Sequence, residues 1–164
     1  MKCRKLLIIT LFCILINACA VLQEPIIKKS EPIDKYQYVV IPQTDSKVSG
    51  SGAVFGGQYG VYGSSTSKEV NPSAIIEGVL LKKGLISVSE ISPDILDKTL
   101  IVRYGESGRR DVAGGLGGYT LEVTIIFISA ETNDTVYFCT AEGQGETEAD
   151  DIRQAITRCL SGLD

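Results

Sequence analysis

Histidine and tryptophan are absent from the 164 residues of this chain, and methionine occurs once. Without histidine, the chain lacks the usual base of Ser-His and Cys-His nucleophile pairs and the commonest zinc ligand. No glycine-rich stretch has the spacing of a phosphate-binding or dinucleotide-binding motif. The sequence therefore predicts no cofactor, no metal site and no catalytic residue of these classes.

Positive charge is scarce beyond residue 18, where the chain has 13 basic and 20 acidic residues. Nucleic acid is bound by cationic surfaces that displace its counterions, so a nucleic-acid partner is excluded. The same charge gives no electrostatic reason to bind an anionic membrane, and any membrane attachment must be hydrophobic or covalent.

The start of the chain has the organisation of a secretory signal peptide. Positive residues precede the apolar run Leu6–Ile16, whose eleven residues fall short of the roughly 20 that a membrane-spanning helix needs. The following Ile16-Asn17-Ala18-Cys19 resembles the lipobox of bacterial lipoproteins, although Asn17 stands where Ala, Ser or Thr is more common. The resemblance implies cleavage after residue 18 and a diacylglycerol anchor on the Cys19 thiol. An ordinary secretory signal with a chance cysteine is the alternative.

Residues 19–35, which include Pro25 and Pro32, are predicted to form a lipidated tether. Ala20 follows the cysteine, and in the enterobacterial sorting scheme the lack of Asp at that position favours the outer membrane. Residues 36–164 are predicted to form one domain, so a chain that begins near Ser30 is expected to fold as a soluble monomer.

The pattern of the domain predicts an α+β fold. Apolar and β-branched runs predict strands, and two amphipathic stretches predict helices, the first capped by Asn71 and ended by Gly84, the second capped by Thr147. The expected architecture is a mixed, largely antiparallel sheet of four or five strands with two helices packed on one face. The predicted strands are Tyr36–Ile41, Leu85–Val88, Thr99–Tyr104, Tyr119–Ala130 and Thr135–Ala141.

Three segments have alternative interpretations. The glycine-rich segment Thr44–Lys68 is favoured as a mobile loop or weak hairpin, but Phe55, Tyr59 and Tyr62 could also present stacking surfaces to a sugar or a protein. Gly105–Arg110 is favoured as a solvated turn, and alternatively its Arg109 and Arg110 could bind a carboxylate or phosphate.

The third segment is rich in carboxylates. It lies at the start of a predicted helix, where the helix dipole favours acidic residues, and this position explains them. Its alternative roles are binding of a hard cation and acid-base cleavage of a glycan, for example by Glu146 and Asp150. The residues concerned are Glu142, Glu146, Glu148, Asp150 and Asp151.

Two cysteines lie within the predicted domain, Cys139 in a strand and Cys159 on the apolar side of the last helix. They could be two buried thiols or could form one disulfide. The sequence does not decide between them, because it does not show which side of the strand meets the helix.

The stretches Asn71–Ile76, Tyr104–Arg110 and Gly145–Arg153 resemble those of small envelope lipoproteins of gut bacteria. The order of elements is also similar, at the level of fold, to lipoprotein modules of the penicillin-binding-protein activator and curli-secretion types. Neither resemblance implies a catalytic residue. The missing histidine, the lack of a strong catalytic motif and the helix-start explanation of the acids favour a lipid-anchored cell-envelope protein with a non-catalytic binding or assembly role, in contact with an envelope protein or glycan. An enzyme that acts on envelope glycans through acidic residues is the alternative.

Overall fold

A computed structural model of the chain describes residues 22–57, 60–112 and 118–163. Within these residues, two helices and eight strands form an α+β fold, the class that the sequence predicts, and short 3-10 turns cover Ile33–Lys35 and Leu96–Lys98. The strands are β1 Ile26–Lys29, β2 Tyr38–Val40, β3 Lys47–Gly57, β4 Gly60–Val70, β5 Ile86–Ser87, β6 Thr99–Asp111, β7 Tyr119–Ser129 and β8 Thr135–Gly143; the helices are α1 Pro72–Lys82 and α2 Glu148–Ser161.

The main sheet has six strands in the order β1-β8-β7-β6-β2-β5, and β3 and β4 form a separate two-stranded sheet. The strands from β1 to β6 in this order pair antiparallel, whereas β2 is parallel to both β6 and β5. The sheet is therefore mixed and largely antiparallel as expected, but larger than the predicted four or five strands.

Both helices begin where capping residues allow them to. The Asn71 side chain accepts a hydrogen bond from the Ala74 amide at 3.3 Å, and Gly84 follows the end of α1 with a φ of 87°. Thr147 accepts a hydrogen bond from the Asp150 amide and donates its hydroxyl to the Asp150 carboxylate at 2.9 Å, which fixes the start of α2.

One side of β7 forms the centre of the core. Leu121, Val123, Ile125 and Phe127 are each at most 1% exposed, whereas Glu122, Thr124 and Ile126 between them are half-buried. The buried residues join Ile76 and Leu80 of α1 and Ile152, Ile156 and Leu160 of α2 in a single cluster. The two helices thus contribute to the same core, as the alternation along β7 predicts.

The segment predicted as a tether is largely part of the folded domain. The Gln23 amide donates to the Glu142 carboxylate at 3.0 Å, and the Gln23 carbonyl accepts from Arg158 at 2.7 Å. Strand β1 then pairs with β8, and the Ser30 hydroxyl donates to the Thr135 carbonyl at 2.8 Å. A chain that begins at Ser30 would lack β1 and both contacts of Gln23, so it would not contain the whole domain. Across the described ranges, no helix has the length and apolarity needed to cross a membrane.

Candidate functional site

The glycine-rich segment forms a regular antiparallel hairpin, β3–β4, rather than an irregular loop. Its register runs from Lys47 opposite Val70 to Gly57 opposite Gly60. Phe55 and Tyr62 are register partners near the tip, whereas Tyr59 lies outside the described residues. Strands of 11 residues extend about 35 Å.

The open end of this hairpin is fixed to the first turn of α2. The Ser49 hydroxyl accepts from the Ala149 amide at 2.8 Å, and Lys68 donates to both carboxylate oxygens of Asp150 at 2.8 and 3.0 Å. Val70 is 1% exposed within the core, whereas Val48 on the neighbouring strand is 72% exposed. The hairpin is therefore attached at its open end, called its root here. The apolar side chain of Val48 is exposed next to this attachment.

The stretch Gly105–Arg110, predicted as a turn, is the second half of β6. It pairs with β7 as far as Asp111 opposite Tyr119, with a bulge between Glu106 and Gly108. Glycines and charges favour a turn locally, but a long partner strand provides backbone pairing that overrides this preference. Arg109 and Arg110 thus stand on a strand and not on a solvated loop.

Arg110 binds a carboxylate through two nitrogen atoms, and the carboxylate belongs to the chain itself. Its Nε and Nη2 atoms each donate to an oxygen of Glu142 at 2.7 Å. Glu142 is 5% exposed and also accepts from the Gln23 amide. The bond from Arg110 is the main reason that the pKa of Glu142 falls to about 2. This pair therefore joins β6, β8 and the N-terminal segment.

Arg109 also binds a carboxylate of the chain, but through a single hydrogen bond, and its side chain is more exposed than that of Arg110. Its Nη2 donates to Glu148 at 2.8 Å, and its guanidinium lies 4.7 Å from the centre of the Tyr119 ring. The hydrogen bond ties β6 to the first turn of α2, next to the root of the hairpin.

The remaining acids at the start of α2 also have local partners. The bond from Lys68 lowers the pKa of Asp150. Asp151 is 4% exposed and accepts from the Gly145 amide, and burial raises its pKa. Glu146 is 80% exposed and lies 3.9 Å from Lys68. In the described part of the chain, no cluster of three or more acidic or cysteine side chains could hold a metal ion.

A cleft of about 330 Å³ lies between the hairpin root and α2. Ser49 and Gly50 form one side, and Tyr119 and the segment from Gln144 to Glu148 form much of the rest. A larger cavity, of about 690 Å³, lies at the C-terminal end of α1 beside Lys82 and Leu163.

Cys139 and Cys159 form a disulfide that joins β8 to α2, so the alternative of two thiols does not hold in this structure. Both residues are fully buried, and the Tyr137 hydroxyl donates to the Cys159 carbonyl at 2.6 Å. Cys139 pairs in register with Ile125, which faces the core, and this register brings it to the helix.

Sequence reasoning missed two residues that organise this region. Gln23 acts through its backbone, for which side-chain chemistry gives no signal, and the sequence marks Lys68 only as the last residue of the glycine-rich segment. Cys19 lies outside the described residues.

No protein-family model and no curated protein matches the chain. A solved structure, a dodecamer of a PelC point variant from Paraburkholderia phytofirmans, is similar over 85% of this chain and 92% of its own length, with 10% identity and a TM-score of 0.42.

Proposed function

We propose that this chain is a lipid-anchored cell-envelope protein that binds a partner through the hairpin β3–β4 and catalyses no reaction. The observation that supports it most strongly is the hairpin itself. Among the described residues, β3 and β4 pair only with each other. Outer strand edges of this kind present backbone donors and acceptors that another chain can extend, and exposed Val48 adds apolar contact.

The anchor in this proposal is Cys19. A leader with a positive start, an eleven-residue apolar run and Ala18 before a cysteine supports lipid attachment at that thiol. Two or three acyl chains hold a protein durably on a bilayer, whereas one chain is marginal. Ala20 favours the outer membrane as the location, with the domain in the periplasm or at the surface.

The partners of the acidic side chains support a binding role over catalysis. Glu142, Glu148 and Asp150 each accept hydrogen bonds from a basic side chain of the same chain. The pairing with a basic side chain lowers the pKa of Glu142 and of Asp150, so these two carboxylates are ionised at neutral pH and unsuited to donate a proton.

The rival function, cleavage of an envelope glycan, would have to use the cleft beside α2. Glu146 is the most exposed carboxylate there, whereas Asp151 is buried and bound to the Gly145 amide. Release of soluble sugar from purified envelope glycan by the wild-type protein, and its loss in Glu146→Gln, would establish the rival and overturn our proposal.

Site-specific crosslinking in the native membrane tests the hairpin directly. A photo-reactive amino acid at position 48 or 55 should capture one defined partner, whereas the same group at Glu131, in the turn between β7 and β8, should not. Equal capture from Glu131 would contradict the proposal.

A shortened hairpin provides the matched variant. Residues 51–66 are replaced by Asn-Gly, which joins Gly50 to its register partner Ser67 through a two-residue turn. The contacts of Ser49 and Lys68 with α2 remain, so the melting temperature should change little while partner capture is lost. Retained capture at normal melting temperature would show that the partner binds elsewhere.

A further inference from the structure

The N-terminal segment joins the domain at a defined end of the main sheet. At this end, called the proximal end here, β6 ends at Asp111, β7 begins at Tyr119 and β8 ends at Gly143. Gln23 is held there by Glu142 and Arg158. From Gln23, the chain continues into β1 and runs antiparallel to β8 toward the opposite, distal end, where the turn Glu131–Asp134 connects β7 to β8.

Only three residues separate Cys19 from Gln23. At about 3.3–3.6 Å per residue, a fully extended chain would place Gln23 at most about 14 Å from Cys19. The acyl chains of a lipidated cysteine enter the hydrocarbon, and the headgroup layer above it is about 5–8 Å thick. Gln23 can therefore rise no more than about 10 Å above the headgroups.

We infer that the proximal end of the sheet lies against the lipid headgroups of the bilayer that holds the anchor, and that the distal turn points away from it. The inference rests on the lipidation of Cys19 in the proposed function. A tether that extended to residue 35 would leave the domain free to rotate, whereas the attachment of Gln23 to Glu142 and Arg158 keeps the proximal end within a few residues of the anchor.

The orientation also places the root of the hairpin relative to the membrane. The hairpin root is fixed near the proximal end, because Ser49 contacts the start of α2 and Gly50 lines a cleft with Tyr119. The distal turn is about 35 Å away along the eleven residues of β7. The root of the hairpin therefore lies close to the membrane surface in this orientation.

Fluorescence quenching in vesicles tests this orientation. A fluorophore is attached to a cysteine at Asp111, at the proximal end, or at Glu131, at the distal end; both positions are exposed. The lipidated protein, with its native disulfide intact, is placed in phosphatidylcholine vesicles whose headgroups carry a short-range quencher. Quenching should be several-fold stronger at 111 than at 131, and each labelled variant should melt as the unlabelled protein does.

A lengthened variant serves as the control. Insertion of a Gly/Ser segment of about 20 residues after Ala20 leaves the anchor and the domain unchanged but frees the domain to rotate. Quenching at the two positions should then become similar.

Two results overturn the inference, and the mass of the N-terminal peptide separates them. If Cys19 carries lipid and the two labels are quenched equally without the insertion, the orientation is wrong and the proposed function stands. If Cys19 is unmodified, the lipid anchor of the proposed function fails and the orientation fails with it.

Discussion

Neutralising Glu142 tests whether its pair with Arg110 stabilises the fold at the point where the N-terminal segment joins it. Folding lowers the pKa of Glu142 from 4.5 to about 2. At about 1.4 kcal/mol per pKa unit, that shift is equivalent to about 3 kcal/mol of stability at neutral pH. The Arg110 side chain is 40% exposed, so solvent screens part of the attraction. We therefore expect Glu142→Gln to lower the free energy of unfolding by about 2 kcal/mol.

The effect should depend on pH in a defined direction. Because the pKa of Glu142 is lower in the folded state, its stabilising effect is fully present above about pH 4.5 and is lost as the pH falls toward 2. The wild type should therefore lose its advantage over Glu142→Gln across this window, since the wild-type side chain then also becomes neutral.

Urea unfolding of the soluble domain, followed at neutral pH and at about pH 3, measures this difference. Glu131→Gln, in the exposed turn at the distal end, is the control and should stay within about 0.5 kcal/mol of the wild type. A Glu142→Gln variant as stable as the control at neutral pH, or a loss of stability that is the same at both pH values, would show that the ionised Glu142 does not stabilise the fold.

Three further predictions concern the domain. Removing the disulfide by two alanine substitutions should cost about 3 kcal/mol in urea unfolding, since its separation of 20 residues closes a loop worth about that much; alkylation of both thiols without reductant would disprove the bond. Gly143→Ala should destabilise by more than about 2 kcal/mol, because its Cβ would collide with the Asp151 carbonyl, whereas Gly105→Ala has nothing within 4 Å and should be nearly neutral. Equal melting temperatures for these two variants would contradict the packing. A chain that begins at Leu22 should melt at a higher temperature than one that begins at Ser30, which lacks β1; equal values would mean that β1 adds no stability.

The boundaries of the helices could be predicted because each depends on a few local residues. Asn71 and Pro72 start α1, Gly84 follows its end, and Thr147 starts α2, and the structure confirms these assignments. The alternation along β7 likewise identified the side that faces the helices. Capping and alternation act within a few residues, so they are visible in a single sequence.

Two assignments failed because they depend on partners that are distant in sequence. Ile26–Lys29 lies between Pro25 and Pro32 in a segment of mixed charge that resembles a linker, and it becomes a strand because β8 offers an edge. The run Gly105–Arg110 has the composition of a turn, and its pairing with β7 extends β6 through it. Composition does not carry this information.

The sequence predicted which types of side chain the candidate site contains, but not which residues they pair with. The sequence indicated that Arg110 could bind a carboxylate and that acids would gather before α2, but it did not show that Glu142 is the carboxylate. The disulfide stayed open for the same reason, since the register of β8 decides which side Cys139 occupies.

The mass of the N-terminal peptide from the mature, membrane-extracted protein tests the proposed lipid anchor most directly. We expect a chain that begins at Cys19, with a diacylglycerol group on the thiol. A mature chain that begins at another residue, or one in which the Cys19 thiol is unmodified, would contradict it.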